Sequence, residues 1–364
     1  MPGSDAPPAR LDAGRPRKAR CDMATRLVTI FGGSGFVGRH IVRELASRGD
    51  RMRIAVRDPD AALFLKPMGD VGQITPVAAP IGDEARVRAA CAGADAVINL
   101  VGILYEHGRQ RFRAVHVDGA RRVAEAARAG GAAALVHLSA LGADPQSPSA
   151  YGRSKAEGEA EVRKAFPQAA IVRPSVMFGP EDDFFNKFAG LAAWLPLLPV
   201  VGVRWRPGDL RAGRFLGNGG PKFQPAYVGD VAAAVAGLAA DPSGWSASGA
   251  RAPLGADGKL FELGGPRVYS LQEIMGLVNR HTLRRRPLVP VPFGLASFQA
   301  ALLGLLPRPL LTRDQVRMMR ADNVLSGTAP GFAELGIQPI GPEAVLPRYL
   351  DRFRSGGRFR AYQA

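Results

Sequence analysis

The sequence has few cysteines and no long hydrophobic run. Its two cysteines, Cys21 and Cys91, cannot form a disulfide scaffold or a CxxC-type zinc site, and a reducing compartment is the natural expectation. No apolar segment reaches the roughly 20 residues that a membrane-spanning helix requires. Residues 1–25 contain no apolar core of a secretory signal, so the sequence predicts neither a signal peptide nor a transmembrane span.

Lysine is also scarce, although the chain is strongly basic. Only seven of the 48 basic residues are lysine, and 32 acidic residues leave a formal net charge of +16. An arginine-rich composition partly reflects a GC-rich coding sequence, but the charge also fits a phosphate-bearing cofactor, an acidic lipid surface or an acidic protein. Nucleic acid is not expected, because no helix-turn-helix, zinc-finger or RNP-type signature is present. No metal is expected, since the histidines lack metal-ligand spacing.

Apolar strands alternate with helical segments between residues 26 and 175. The strands are nearly all apolar, which is typical of a parallel sheet covered by helices on both faces. We therefore predict an α/β fold, a doubly wound parallel sheet, with a smaller and mainly helical C-terminal lobe. The predicted divisions are a disordered tail at 1–25, the α/β domain at 26–175 plus about 222–240, a substrate or partner lobe at about 176–221 and 241–352, and a basic tail at 353–364.

The most apolar segment of the C-terminal lobe is Phe293–Leu306. It has 14 residues and stops at Pro307, so it is too short to span a membrane. Its pattern favours a buried helix of the second lobe. The alternative is a surface that contacts a membrane or a membrane-protein partner.

A glycine-rich turn carries the strongest local signal. The motif GGSGFVG (32–38) places three glycines at GxxGxxG spacing between the first strand and the first helix. Glycines let a pyrophosphate approach the backbone closely, and the helix N-terminus offers free N–H groups. The sequence therefore predicts an NAD(P)-binding Rossmann domain. The expected cofactor contacts in this turn are Gly32, Ser34, Gly35, Phe36, Val37 and Gly38.

The residue at the end of the second strand indicates which cofactor binds. Arg57 lies nineteen residues past Gly38, where NAD-binding proteins place an acid on the ribose hydroxyls. A guanidinium at this place suits a 2′-phosphate, so the sequence favours NADP(H). NAD(H) is the alternative if the neighbouring Asp58 reaches the ribose instead.

Two later strand ends supply further candidate cofactor contacts. Asp83 follows the third strand, where it is either an acceptor for the adenine amino group or a helix N-cap. Leu100, Val101 and Gly102 follow the fourth strand, beside the expected cofactor cleft.

A second motif, YGRSK (151–155), supplies the candidate catalytic residues. Tyr151 and Lys155 are spaced i and i+4 on one helical face, so the ammonium can lower the pKa of the phenol. Such a phenol can exchange a proton with a carbonyl or alcohol oxygen beside the nicotinamide. Ser139, at the end of the fifth strand, is the candidate third member; its alternative role is a strand-end hydroxyl bonded to backbone.

Together these motifs, with VRPSVMFGP (172–180) and YVGDV (227–231), resemble the extended and atypical short-chain dehydrogenase/reductase superfamily. The stretches SALGADPQSPSAYGRSKAEGE (139–159) and FELGGPRVYSLQEIMGLVNR (261–280) resemble one family within it, the NADPH-binding accessory subunits of respiratory complex I and their bacterial relatives. The resemblance implies that the three motif glycines hold the pyrophosphate, Arg57 the 2′-phosphate, and Tyr151 and Lys155 the nicotinamide ribose. Pro174, within the matching VRP, completes the expected cofactor contacts.

The resemblance also implies a function. Members hold the nucleotide tightly on the membrane-proximal arm of complex I, and no substrate turnover is established for them. We therefore expect an accessory or assembly subunit, with structural or redox-sensing use of the nucleotide, on the inner, cytoplasmic face of a bacterial inner membrane. The alternative is an active oxidoreductase or epimerase acting on a hydrophobic or quinone-related substrate. Ala140 departs from the family pattern, which often has a hydroxyl there, and this disfavours catalysis.

Overall fold

The structure is a computed structural model that describes residues 26–108, 110–205, 209, 215–240, 259–304 and 311–354. The predicted tail at 1–25 and residues 355–364 of the basic tail lie outside these ranges. The strands are β1 (Leu27–Phe31), β2 (Arg51–Val56), β3 (Ile74–Ala78), β4 (Ala96–Asn99), β5 (Ala134–Leu138), β6 (Ala170–Pro174), β7 (Met177–Phe178), β8 (Leu198–Val201), β9 (Lys222–Phe223), β10 (Ala226–Tyr227), β11 (Leu260–Leu263), β12 (Tyr269–Ser270) and β13 (Leu288–Val291). The α-helices are α1 (Phe36–Ser47), α2 (Glu84–Cys91), α3 (Gly119–Ala129), α4 (Ala150–Ala165), α5 (Phe185–Trp194), α6 (Val228–Ala240), α7 (Leu271–His281), α8 (Phe293–Leu303), α9 (Arg313–Met318) and α10 (Pro342–Val345).

The main sheet has seven parallel strands in the order β11-β6-β5-β4-β1-β2-β3. Helices α1 and α6 pack on one face, and α2, α3 and α4 pack on the other. The strand order reverses between β1 and β4, which is the place where doubly wound sheets bind their ligands. The predicted fold class, a doubly wound α/β sheet, is therefore confirmed.

Strand β11 differs from the predicted division of the chain. Residues 241–352 were expected to belong to the second lobe, yet Leu260–Leu263 pairs with β6 at the edge of the main sheet. The segment has only four residues and includes Glu262, whose carboxylate accepts a hydrogen bond from the Ser326 N–H at 2.7 Å. A strand this short, interrupted by a charge, carries no clear apolar pattern.

The second lobe has its own hydrophobic core. Helices α5, α7, α8 and α9, the paired strands β8 and β13, and the segment 345–353 contribute buried side chains to it. Within the part of the chain that the structure describes, no helix is long and apolar enough to cross a membrane.

Helix α8 is less buried than the sequence indicates. It buries only Ala296 and Ala300, while the side chains of Leu295, Phe298 and Leu302 are 49%, 63% and 56% exposed. The preferred expectation of a buried helix is therefore wrong for Leu295, Phe298 and Leu302. Apolar residues are spread around the helix, so its sequence pattern does not reveal which face is covered.

Candidate nucleotide-binding site

The glycine turn forms a cradle between β1 and α1. Gly32 has φ +80°, a left-handed conformation that favours glycine, and its N–H donates to the Ala55 carbonyl of β2 at 3.3 Å. A Cβ on Gly38 would lie 2.5 Å from the Gly32 oxygen and 2.6 Å from the Gly33 carbonyl carbon, so this position admits glycine alone. Helix α1 begins after Gly35 without a side-chain cap. Its first N–H groups are thus left for an anion, as a dinucleotide pyrophosphate requires.

The ends of β1 and β4 connect this cradle to the second motif. A Cβ on Gly32 would lie 3.3 Å from the Leu100 carbonyl carbon and 3.4 Å from Val101 Cγ2, so the turn touches the segment after β4. Farther along this segment, a Cβ on Gly102 would lie 3.3 Å from Lys155 Nζ. The glycine turn, residues 100–102 and Lys155 therefore follow one continuous line along the carboxyl ends of the strands.

Tyr151 and Lys155 lie in the first turns of α4 and are both buried. Burial raises the pKa of the Tyr151 phenol to about 12 and lowers the pKa of Lys155 to about 8, an effect that Glu159 partly opposes. The expectation that Lys155 lowers the pKa of the phenol is wrong, because desolvation dominates at this depth. At neutral pH the phenol is a neutral hydrogen-bond donor.

His116 adjoins both residues, a role that sequence reasoning missed. It lies in a π-helical turn, Arg113–Asp118, which leads into α3. Its ring packs edge to face against Tyr151 at 5.4 Å, and its Nε2 accepts a hydrogen bond from the Ile103 N–H at 3.0 Å. Nδ1 therefore carries the proton and donates to Ser154 Oγ at 2.9 Å, which donates in turn to the Tyr151 carbonyl. A π-turn of this kind often marks a functional site, but no motif identifies it in the sequence.

Ser139 has a different role from the one expected. Its Oγ donates to the carboxylate of Glu159, and Arg173 holds that carboxylate through two hydrogen bonds of 2.8 and 2.7 Å. The Ser139 hydroxyl is thus committed to a buried ion pair. Neither the catalytic role nor the backbone-bonded alternative describes this arrangement.

Arg57 and Asp58, the two candidates for contact with the adenosine ribose of the cofactor, differ in their contacts. Asp58 Oδ1 accepts hydrogen bonds from the N–H groups of Asp60 at 3.0 Å and Ala61 at 3.4 Å, which starts the 3₁₀ segment Asp60–Met68. Arg57 is exposed, two residues past the Ala55 carbonyl to which the glycine turn is bonded. The Arg57 guanidinium is therefore open to a ligand, whereas one oxygen of the Asp58 carboxylate is engaged with backbone.

Arg39 is a second cation at this end that sequence reasoning missed. From α1 its guanidinium donates to the carbonyls of Ser34 and Gly35, each at 3.4 Å, and lies 5.3 Å from the centroid of the Phe64 ring. Arg39 and Arg57 thus approach the glycine turn from α1 and from the end of β2. Arg39 directly follows Gly38, the third motif glycine, and this position is the signal that could have identified it.

The remaining predicted contacts lie at the same edge of the sheet. Asp83 caps α2 by accepting from the Arg86 N–H at 3.1 Å, so its N-cap role is confirmed and the adenine contact stays a prediction. Pro174 ends β6, and its carbonyl accepts from the Leu141 N–H at 3.0 Å. Ser34 and Phe36 are half-buried in the turn, and Val37 is buried under it.

Comparison with known proteins agrees with this geometry. Residues 32–178 match a protein family described as NAD(P)H-binding. The solved structure of DesIV, a dTDP-glucose 4,6-dehydratase from Streptomyces venezuelae with NAD bound, has a TM-score of 0.62 at 17% identity, and the match covers 93% of this chain and 98% of that one. At this identity the structural likeness concerns the fold, which is that of an NAD(P)-binding Rossmann domain with an appended lobe.

Two curated proteins are similar over nearly the whole chain. Mitochondrial NADH dehydrogenase (ubiquinone) 1 alpha subcomplex subunit 9 of Mus musculus is 32% identical over 338 residues, which are 92% of this chain and 82% of that protein. The mitochondrial NADH-ubiquinone oxidoreductase 40 kDa subunit of Neurospora crassa is 30% identical over 346 residues, or 95% of this chain and 84% of that protein. The similarity therefore includes the second lobe as well as the nucleotide-binding domain.

Proposed function

Because this chain belongs to the family of alpha subcomplex subunit 9 of NADH dehydrogenase (ubiquinone), we propose that it is an NADP(H)-holding accessory subunit of respiratory complex I. The observation that carries the proposal is that the similarity spans both lobes while the nucleotide cradle is intact in this chain. A protein that only binds a nucleotide has no need for the second lobe of this family. We place the protein at the inner face of a bacterial inner membrane, held there through its partner subunits.

Retention of NADP(H) over NAD(H) is supported by the charges at the ribose end. Arg57 is exposed beside the turn, Arg39 contributes a second guanidinium, and one oxygen of the neighbouring Asp58 carboxylate is bonded to backbone N–H groups. A 2′-phosphate carries about two negative charges at neutral pH and suits paired guanidinium donors.

Reversing the charge at Arg57 tests this preference. Arg57→Glu is expected to weaken NADPH binding by about tenfold or more and to change NADH binding by less than about threefold, because only NADPH carries the phosphate. Fluorescence titration with both nucleotides measures the ratio. Arg51→Glu, at the opposite end of the same strand, makes the same change in net charge and serves as the control. If Arg57→Glu weakened NADPH and NADH binding equally, Arg57 would not bind the 2′-phosphate. The same change in affinities in Arg51→Glu would also contradict the assignment, because it would show an effect of net charge alone.

Holding a nucleotide agrees better with the site than turning over a substrate. The Ser139 hydroxyl, which would orient a substrate oxygen, is committed to Glu159. Tyr151 and Lys155 then serve to bind the nicotinamide ribose. The active oxidoreductase or epimerase with a hydrophobic or quinone-related substrate is the second candidate, favoured by the intact Tyr151–Lys155 pair.

The second lobe exposes several large apolar side chains, and we propose that they form one apolar face that serves as the docking surface. The apolar face consists of seven exposed side chains, namely those of Trp194, Leu195, Leu197, Val289, Leu295, Phe298 and Leu302. The pairing of β8 with β13 joins the segments that carry them, and α8 follows β13 directly. Exposed Trp, Phe and Leu side chains on one lobe are typical of an interaction surface rather than of a free protein surface.

Cationic side chains accompany this face. The Arg320 guanidinium lies 5.7 Å from the centroid of the Phe293 ring at the start of α8, and Arg285 is exposed just before β13. Together with the net charge of +16, this arrangement supports contact with an anionic lipid surface beside the membrane-bound partner.

Placing a charge on the apolar face tests the docking. Phe298→Glu is expected to lower the association of the protein with its native membranes by about tenfold, because an interfacial aromatic side chain becomes an unpaired charge. Membrane flotation followed by quantitative immunoblotting measures the bound fraction. Val71→Glu, on a fully exposed apolar side chain of the nucleotide-binding domain, is the matched control. Equal membrane association of Phe298→Glu and the control would contradict docking through this face.

A further inference from the structure

One carboxylate of the second lobe bonds directly to the helix that carries Tyr151 and Lys155. Asp314, in α9, accepts a hydrogen bond from the Ala150 N–H at 2.8 Å through Oδ1 and one from the Tyr151 N–H at 3.0 Å through Oδ2. Both N–H groups belong to the first turn of α4, which lies 163 residues or more away in the sequence. The contact therefore crosses from one lobe to the other at the nucleotide site itself.

The first turn of α4 needs such a partner. A helix leaves its first four N–H groups without partners inside the helix, and here Ser149 Oγ accepts only from the Gly152 N–H at 2.9 Å. Asp314 accepts hydrogen bonds from the N–H groups of Ala150 and Tyr151, the two residues before Gly152. A carboxylate at a helix N-terminus is also favoured by the helix dipole, and this one has only 17% of its side chain exposed to screening solvent.

The position of Asp314 is not explained by the needs of α9. That helix has its own capping box, in which Thr312 and Gln315 bond each other's backbone N–H groups. The ion pair between Asp314 and Arg317 is 3.9 Å long, and the Arg317 side chain is 55% exposed, so it adds little to stability. The two short bonds of the carboxylate go to α4 and not to its own helix.

We propose that Asp314 is a positioning residue that couples the nucleotide site to the second lobe. It fixes the N-terminus of α4 against α9, so a nucleotide held by Tyr151 and Lys155 also restrains α9. Because α9 packs against α8, the restraint extends to the helix that carries Phe298 and the rest of the apolar face. The inference rests on the proposed nucleotide binding. It adds a structural connection through which a bound nucleotide restrains the docking surface.

Hydrogen–deuterium exchange with and without saturating NADPH tests the coupling in the full-length protein. In the wild type, NADPH is expected to slow exchange in the glycine turn, in the first turn of α4 and in α9. In Asp314→Ala, the glycine turn is still expected to be protected, but α9 loses its NADPH-dependent protection, and the Kd for NADPH rises about fivefold, the size of a lost helix cap.

Two further variants separate positioning from general destabilisation. Asp314→Asn keeps the shape of the side chain but offers one acceptor oxygen, so an intermediate loss of α9 protection is expected. Arg317→Ala removes the ion pair and leaves both bonds to α4, so it is expected to behave as the wild type. Equal NADPH-dependent protection of α9 in the wild type and in both Asp314 variants would overturn the coupling. Absence of protection in the wild-type glycine turn would instead overturn the nucleotide binding on which the inference rests.

Discussion

Gly38→Ala is expected to abolish detectable nucleotide binding, with a loss of affinity of about a hundredfold or more. The added Cβ would lie 2.5 Å from the Gly32 oxygen and 2.6 Å from the Gly33 carbonyl carbon, closer than Cβ atoms approach backbone in folded proteins. Both atoms belong to the backbone and not to a flexible side chain, so the turn itself must move away from α1. A loss of about 3 kcal/mol, the upper range for overpacking, corresponds to about a hundredfold in affinity.

A matched glycine substitution separates this effect from general changes at the site. Gly82→Ala lies at the same edge of the sheet, near Asp83, and its Cβ would meet no atom within 4 Å. We expect this variant to bind NADPH as the wild type does in isothermal titration calorimetry. Wild-type affinity in Gly38→Ala, with the protein folded by circular dichroism, would mean that the nucleotide does not use this turn.

Acidification from pH 7.5 to 5.5 is expected to cost the protein about 3 kcal/mol of folding stability through His116 and His137 alone. Burial lowers the pKa of His116 to about 2 and that of His137 to about 3, and in both cases the charge of Lys155 lowers it further. The unfolded chain binds a proton at each histidine below its ordinary pKa of 6.5, whereas the folded chain does not. The contribution of each histidine is therefore complete above pH 6.5 and is lost as the pH falls.

Urea unfolding at the two pH values measures the effect. Asp230 acts in the opposite direction by about 1 kcal/mol, because burial raises its pKa to about 6 and the folded state then binds its proton first. The informative quantity is thus the difference between the wild type and each variant in how much the free energy of unfolding changes between the two pH values. His116→Asn and His137→Asn are each expected to reduce the pH dependence by about 1.4 kcal/mol. A pH dependence that neither buried-site variant alters would show that these histidines are not neutral in the folded state.

The parts of the site that sequence reasoning identified are the parts encoded by local spacing. Gly32, Gly35 and Gly38 lie within seven residues, and Tyr151 and Lys155 lie one helical turn apart, so their geometry follows from the adjoining strand and helix. The alternation of apolar strands with crossover helices likewise determines the parallel sheet.

The parts that it missed depend on contacts between distant segments. Asp314 reaches α4 from more than 160 residues away, and no local pattern distinguishes it from an ordinary acid in the first turn of α9. The hydroxyl of Ser139 finds its partner, Glu159, only after β5 and α4 have packed together. Apolar residues are spread around helix α8, so the exposure of Phe298 is decided by the tertiary structure and not by periodicity.

The central claim is that this chain holds NADP(H) while it is part of complex I. The most direct measurement is native electrophoresis of mildly solubilised native membranes, followed by extraction and quantification of the nucleotide in the band that contains the protein. We predict co-migration with complex I and close to one NADP(H) per chain, with little NAD(H). A protein that migrates alone, or one that co-migrates with complex I but carries no nucleotide, would contradict it.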